Sequence, residues 1–422
     1  MRESGKQMLQ FVRDHGTGGQ EGMSGPLEQD LKERCARLAR ALGEAGTDVA
    51  LLQQSIDKYY FAGTVQQGFL AVGAEREPIL FCRKGVERTQ RETPWQVVAL
   101  ERPKDLPALL AAAGFSTGCV GVEGDVLPWQ LYRQLERMFP DSRIEDVSST
   151  VRALRQVKSE FELGEIRAAG AAWAEMMQET GRLLRPGAND HEISIRVDAH
   201  GRLQGGQGLM RTRGFNFDYF APHVLFGPPG AVPAYFDGPT GGEGPHPSIG
   251  QGSRGIAIEP DGPILCDYAV AVRGYVADGT RTFVIGELPG QLQYAAELAI
   301  DILAEAEEAM HPGTEIASLF QRASRRAEER GLGQHFLGFG PDRARFLGHG
   351  IGLELDEFPV LTERAQGVLE PGMVIAVEPK FVFPGIGAVG VEDSFIVCSS
   401  GPAEVLTHFP RGPITLPRDG VR

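Results

Sequence analysis

Apolar residues recur at helical spacing between Leu27 and Ala45, at Leu31, Cys35, Leu38 and Leu42, and Gly46 ends the pattern. Val49-Ala-Leu-Leu52 follows as a short continuous apolar run, which predicts a buried strand. The same alternation continues. Strands are predicted at Phe69–Val72, Pro78–Cys82 and Val120–Glu123, and helices at Leu106–Ala113 and around Trp129–Phe139. Helices interleaved with strands predict a mixed sheet covered by helices, an α/β domain over residues 26–155. Before it, residues 1–25 are glycine-rich and polar, the composition of a disordered leader.

The pattern changes near Ser148–Val157. Ser159 and Glu162 form a capping box, and Leu163, Ile166, Gly170, Trp173 and Met177 mark one face of the helix that it opens. That helix stops at Pro186-Gly187, and a second starts at Asn189 with Glu192 as its partner. A related arrangement returns downstream: a helix over Gln291–Met310, Pro312-Gly313, then a helix from Thr314 to near Gly331. Glu192-Ile193 and Glu315-Ile316 stand in matching places, so residues 156–422 read as a weak internal repeat. Between the halves, Phe226–Gly255 is rich in Gly and Pro; a loop that long is commonly functional, and this one is expected to shape a pocket.

Composition narrows the class. A chain of 422 residues with 42% apolar content builds two or three packed domains. A net charge of −14 opposes a nucleic-acid partner. No apolar run reaches the ~18 residues that span a bilayer, and the N-terminus lacks the apolar core of a signal peptide, so a cytoplasmic protein is expected. Cys35, Cys82, Cys119, Cys266 and Cys398 show no paired spacing and suit reduced thiols. Neither a Gly-x-Ser-x-Gly elbow nor a Walker-type phosphate loop is present.

The chemistry concentrates in the second part. Cys266–Phe283 is an alternating apolar stretch broken by Arg273-Gly274, which predicts two strands joined by a tight turn. If the ends pair, Asp267 and Asp278 lie at the same height, where two carboxylates repel unless a cation sits between them. Two solvated strand ends account for the stretch equally well. Downstream stand His349 between glycines, Glu378 at the end of an apolar strand and Glu392 at the end of another. Four carboxylates and one histidine make a hard, oxygen-rich donor set.

In this order and with these neighbours, the five residues resemble the motifs of the pita-bread metallopeptidases, the family of methionine aminopeptidase, Xaa-Pro aminopeptidase and prolidase. The resemblance covers Gln156 to the C-terminus in detail. More loosely, Tyr59–Thr64 and Val122–Asp125 resemble the N-terminal domain of creatinase and prolidase. It implies a creatinase-like α/β domain followed by an α+β pita-bread domain with a pseudo-two-fold repeat. It further implies two divalent ions, Mn, Co, Fe or Zn, on Asp267, Asp278, His349, Glu378 and Glu392. Asp278 and Glu392 would bridge the ions, Glu378 would shuttle the proton, and Thr280 and Arg281 would support the carboxylates. The implied activity is cleavage of an N-terminal peptide bond in small peptides, by an Xaa-Pro aminopeptidase or dipeptidase acting as a homodimer. A non-peptide C–N hydrolase or lyase on the same scaffold is the alternative, and a non-catalytic binding protein a third.

Four positions depart from the family pattern. Asp356 stands seven residues after His349, where peptide-cleaving relatives carry a second histidine, and Arg345 stands four before it. His246 precedes Asp267 by more residues than the corresponding histidine usually does, and Gly390 replaces a common arginine. Asp356, Arg345 and His246 are the candidate substrate-binding residues.

Overall fold

The computed structural model describes residues 25–218 and 222–419; the leader expected over residues 1–25 lies, except for Gly25, outside the described residues. The chain divides into two compact units, Met1–Leu154 and Arg155–Arg422.

In the first unit, α1 (Pro26–Ala45) has proline in its first turn and ends on Gly46 in the left-handed region. It leads to β1 (Val49–Leu52), α2 (Ser55–Ala62), β2 (Gly68–Gly73), β3 (Ile79–Cys82), α3 (Val86–Glu92), β4 (Gln96–Ala99), α4 (Leu106–Ala112), β5 (Cys119–Val122), α5 (Trp129–Met138) and β6 (Arg143–Asp146). The strands form one mixed sheet in the order β4-β3-β2-β1-β5-β6, as the alternation of helix and strand predicts. Val49, Leu51, Phe81, Leu106, Leu110 and Val120 fill its core. Helix α6 (Ser148–Gln156) carries the chain out of this unit.

The second unit opens with α7 (Glu160–Leu183), whose capping box is formed as expected: Glu162 N–H donates to Ser159 Oγ (3.2 Å) and Ser159 N–H to Glu162 Oε2 (3.1 Å). All five face-marking residues are buried, and a Cβ on Gly170 would stand 2.4 Å from the Leu406 carbonyl oxygen, so only glycine fits there. After α8 (Asp190–Leu203) come β7 (His223–Phe226), β8 (Pro263–Val272) and β9 (Tyr275–Ile285). The second half repeats helix, helix, strands: α9 (Gly290–Ala309), α10 (Ile316–Glu329), β10 (Phe346–Gly350), β11 (Glu357–Thr362), β12 (Val374–Val377), β13 (Lys380–Phe383), β14 (Gly387–Gly390), β15 (Asp393–Ile396), β16 (Glu404–Val405) and β17 (Ile414–Leu416). One sheet runs β17-β9-β8-β7 and the other β11-β10-β12-β15-β16, with β13 and β14 as a separate hairpin. Each sheet packs on its own helix pair through its own apolar core.

Arg273 and Gly274 both adopt positive φ, which gives the two-residue turn that matches strand twist. The turn fixes the β8–β9 register: Asp267 pairs with Thr280, and Asp278 with Ala269. The two carboxylates are therefore diagonal neighbours rather than directly opposite, yet they share a face because strand side chains alternate with period two. Trp173 locks this hairpin to α7, its indole N–H lying 2.9 Å from the Tyr268 carbonyl and 3.2 Å from that of Gly279. A Cβ at position 279 would fall 2.6 Å from the indole ring, which explains the glycine inside Asp-Gly-Thr.

At the start of this unit Arg155 and Lys158 enclose Glu357. Arg155 lies 2.5 Å from Glu357 and 2.9 Å from Glu354, and Lys158 3.3 Å from Glu357, all buried. Burial would raise the Glu357 carboxyl, but the two cations outweigh it and hold it at about 2, below its ordinary 4.5. A depressed carboxyl contributes stability above its unfolded pKa and loses it as the pH falls toward the folded one, here on the order of 3 kcal/mol. Wild type should lose urea resistance from about pH 5 down to about 2, whereas E357Q should be weaker at pH 7 and flatter across that range. Parallel pH profiles of the two urea midpoints would remove this account.

Candidate metal centre

Two sheets meet at the site. Thr280 on β9 forms an antiparallel bridge with Glu392, which directly precedes β15, through backbone bonds of 3.0 and 3.3 Å. Ser394 Oγ adds a bond to the Asp278 carbonyl (2.7 Å), and Thr282 Oγ1 one to that of Gly390 (2.8 Å). Beneath this junction Arg281 is fully buried. Its guanidinium donates to the carbonyls of Glu392 (2.7 Å), Thr280, Thr407 and Phe409 (2.9 Å each) and to Asp393 Oδ1 (2.7 Å), and lies over the Trp173 ring at 4.9 Å. It fixes the backbone from which Glu392 projects.

His349 arrives from β10, paired with Ala376 of β12 and Val360 of β11. A Cβ on the preceding Gly348 would stand 2.0 Å from the Ala376 carbonyl oxygen, so glycine lets the strands close. His349 Nδ1 lies 3.1 Å from the Gly350 carbonyl; a proton there leaves the lone pair on Nε2, facing the acids, with Glu378 Oε1 3.9 Å away. Ligand atoms of Asp278, His349 and Glu392 all lie within 4.8 Å of one another.

A cavity of about 620 Å³ opens over these residues. All five predicted ligands, Asp267, Asp278, His349, Glu378 and Glu392, line it. Its walls include Phe217 and Phe236, with ring centroids 5.6 Å apart, and Tyr235, which come from the glycine-rich loop and the segment before β7. Of the three candidate substrate residues, only Asp356 lines this cavity, its Oδ1 3.4 Å from the Arg213 backbone N–H. Arg345 is exposed and faces a different cavity beside α10, because the chain turns before β10 begins. His246 is exposed, its Nδ1 held by Ser248 Oγ at 2.8 Å within its own loop. The histidine that reaches the cavity from upstream is His223, opposite Asp267 in the β7–β8 pair.

Residues 164–399 match metallopeptidase family M24, more than half of the chain. The chain belongs to that family. Residues 34–157 match the creatinase/prolidase N-terminal domain, so the M24 catalytic domain follows a domain of creatinase type. The chain is 23% identical to the Xaa-Pro dipeptidase of Pyrococcus furiosus over 387 residues, covering 90% of this chain and 99% of that one. An uncharacterized peptidase of Staphylococcus epidermidis is 26% identical over 385 residues, covering 89% and 98%. Among solved structures, an Xaa-Pro dipeptidase from Bacillus anthracis superposes with a TM-score of 0.78 at 26% identity over 92% of this chain and all of that one. A prolidase from Pyrococcus horikoshii does so at 0.76 and 22%, covering 90% and 99%.

M24 enzymes are hydrolases that use divalent metal, and part of this donor set fits such an ion. Glu392 Oε1 is buried with no hydrogen-bond partner among the described residues, and the Glu392 carboxylate has a ligand atom within 4.8 Å of those of Asp278 and His349. Burial, then the neighbouring Glu392 and Asp267 charges, pushes the Asp278 carboxyl well above its ordinary range; burial also lifts Glu392, to about 7. Such groups call for a cation. Two expected ligands are engaged otherwise. Lys380 Nζ lies 2.8 Å from Asp267 Oδ2, 2.7 Å from Glu378 Oε2 and 3.2 Å from Glu392 Oε2. For Asp267, burial opposes ionisation, but the Lys380 and His223 charges outweigh it and hold the carboxyl low; Glu378 stays raised by burial despite Lys380. Lys380 was absent from the residues singled out in sequence. The available signal was a lysine two places after Glu378 inside the apolar run Val374–Phe383, where a charge needs a buried partner.

Proposed function

We propose that this M24 hydrolase cleaves the N-terminal peptide bond of small peptides with proline in second position. The observation that carries this reading is the convergence of Asp278, His349 and Glu392 at the floor of a cavity walled by Phe217, Phe236 and Tyr235. In it, these three residues hold a divalent ion, for which Mn, Co, Fe and Zn all suit the mixed oxygen and nitrogen donors. Bound there, the ion supplies Lewis acidity toward a substrate carbonyl and toward water. Glu378 is the proton carrier: burial raises its carboxyl, bringing it closer to the neutral range in which a shuttle both accepts and donates. The aromatic walls suit a pyrrolidine ring, and Asp356 offers an acceptor to the substrate's ammonium group. Relatives named Xaa-Pro dipeptidase align over nine-tenths of the chain, which supports the proline preference. Five free thiols fit a reducing compartment, and a cytoplasmic site of action belongs to the same proposal.

The test is a panel of Xaa-Pro dipeptides, Xaa-Pro-Xaa tripeptides and proline-free controls, offered to chelator-treated protein before and after addition of Mn²⁺ or Co²⁺. Turnover should appear only with metal, and the preferred peptide length separates dipeptidase from aminopeptidase. Metal-dependent cleavage of the proline-free controls alone would sink the proline preference.

A further inference from the structure

The ammonium of Lys380 fills a place that a metal ion would need. Its Nζ stands in the wedge formed by Asp267 Oδ2, Glu378 Oε2 and Glu392 Oε2, donating hydrogen bonds to the first two at 2.8 and 2.7 Å and ion-paired with the third at 3.2 Å. A divalent ion bound to the first two oxygens would sit about 2.0–2.2 Å from each, inside the same wedge. A protonated lysine has no lone pair with which to join such an ion's ligands, so the two cations exclude one another.

The side chain is held in that position. Lys380 is 2% exposed, and its carbonyl accepts the Leu337 N–H at 2.8 Å. Its stem crosses Gly390, its partner in the β13–β14 register; a Cβ on residue 390 would lie 2.7 Å from Lys380 Cγ. The same Cβ would lie 2.8 Å from Lys380 Cα and from the Pro379 carbonyl oxygen, so the glycine noted in sequence as a departure lets the two strands approach closely where the lysine stem passes. Withdrawing the buried ammonium would leave the charges of three carboxylates uncompensated.

We infer that Lys380 is a built-in substitute for a second metal ion, so that the centre holds a single divalent ion on Asp278, His349 and Glu392 beside a fixed ammonium that engages Asp267 and Glu378. This rests on the proposed reading only in placing an ion on those three residues. Lys380 is then a positioning residue: it neutralises Asp267 and orients Glu378 as a base without the ion touching either.

The experiment counts metal rather than turnover. The full chain is incubated with excess Mn²⁺, desalted and measured by elemental analysis and by electron paramagnetic resonance. Wild type should retain about one Mn²⁺ per chain with the spectrum of an isolated ion. K380A should retain about two, with the altered spectrum of an exchange-coupled pair. A coupled pair in wild type overturns the inference by itself, whether or not K380A folds; so does an unchanged count in folded K380A, or no retained Mn²⁺ in either protein. Failure of the peptidase reading is seen separately: one ion in wild type, two in K380A and no cleavage of any proline peptide would leave the metal assignment standing.

Discussion

Glu378→Gln lowers kcat by about 10²–10⁴-fold while metal content and KM stay near wild type. The amide keeps the shape of the side chain and a contact for Lys380, which lies 2.7 Å from Glu378 Oε2, but it cannot take up a proton. General acid–base transfer by a positioned group contributes about that factor, and the loss should fall on kcat because the proton moves in the transition state rather than in the bound complex. Metal content is the informative second readout. If Glu378 serves as a ligand instead of pairing with Lys380, the substitution weakens metal retention as well, and the activity lost returns in part at high Mn²⁺. Steady-state kinetics on an Xaa-Pro dipeptide with parallel elemental analysis separates the two, and a kcat within about threefold of wild type would remove Glu378 from the proton path.

Arg281→Ala costs on the order of 3–5 kcal/mol of stability. The guanidinium is fully buried, pairs with Asp393 at 2.7 Å and satisfies the carbonyls of Thr280, Glu392, Thr407 and Phe409. Removing it takes the guanidinium donor from the Thr407 and Phe409 carbonyls, leaves those of Thr280 and Glu392 with their bridge bonds alone, and opens a void under the Trp173 ring. Asp393 keeps Arg411, 2.6 Å away, so the carboxylate is not stranded, and most of the cost comes from the carbonyls and the void. Arg281→Lys should recover only a fraction, because one ammonium cannot reproduce a planar fork that bonds several oxygens at once. The Glu392 backbone is anchored through the same group, so metal affinity should fall along with stability. Urea unfolding followed by tryptophan fluorescence reads the first effect, and Mn²⁺ titration the second. A change under about 1 kcal/mol would mean that the network is dispensable.

Local signals in the chain carried the fold a long way. The capping box at Ser159 and Glu162, the Pro-Gly stops and the turn at Arg273-Gly274 depend on contacts within a few residues, and each forms where its local chemistry puts it. The repeated order of helix, helix and strands follows from two copies of the same local code. Glu378 and Glu392 were legible because they flank apolar strands, where a charge is conspicuous, whereas Asp267, Asp278 and His349, inside β8, β9 and β10, stood out as polar residues within apolar runs.

The rest depended on pairings between distant segments. Glu392 meets Thr280 across 112 residues, and that bridge, rather than anything near either residue, brings Asp278, His349 and Glu392 to one point. The diagonal offset of Asp267 and Asp278 comes from the turn falling at Arg273 and Gly274, which shifts each partner by two positions relative to paired ends. Arg345 and His246, near the right residues in sequence, turn outward because neither lies in a strand that enters the site, whereas His223 enters because β7 pairs with β8. The sequence by itself determined the helix–strand alternation and the weak internal repeat, since these rest on periodicity and capping, while the pita-bread plan and the choice of acids came from the resemblance of their motifs to a known family. Only the tertiary structure decided which cation answers which acid. Lys380 pairs with Asp267, 113 residues away, through sheet and hairpin packing, and the need for glycine at 390, against Lys380 and the Pro379 carbonyl, exists only once β13 and β14 are side by side.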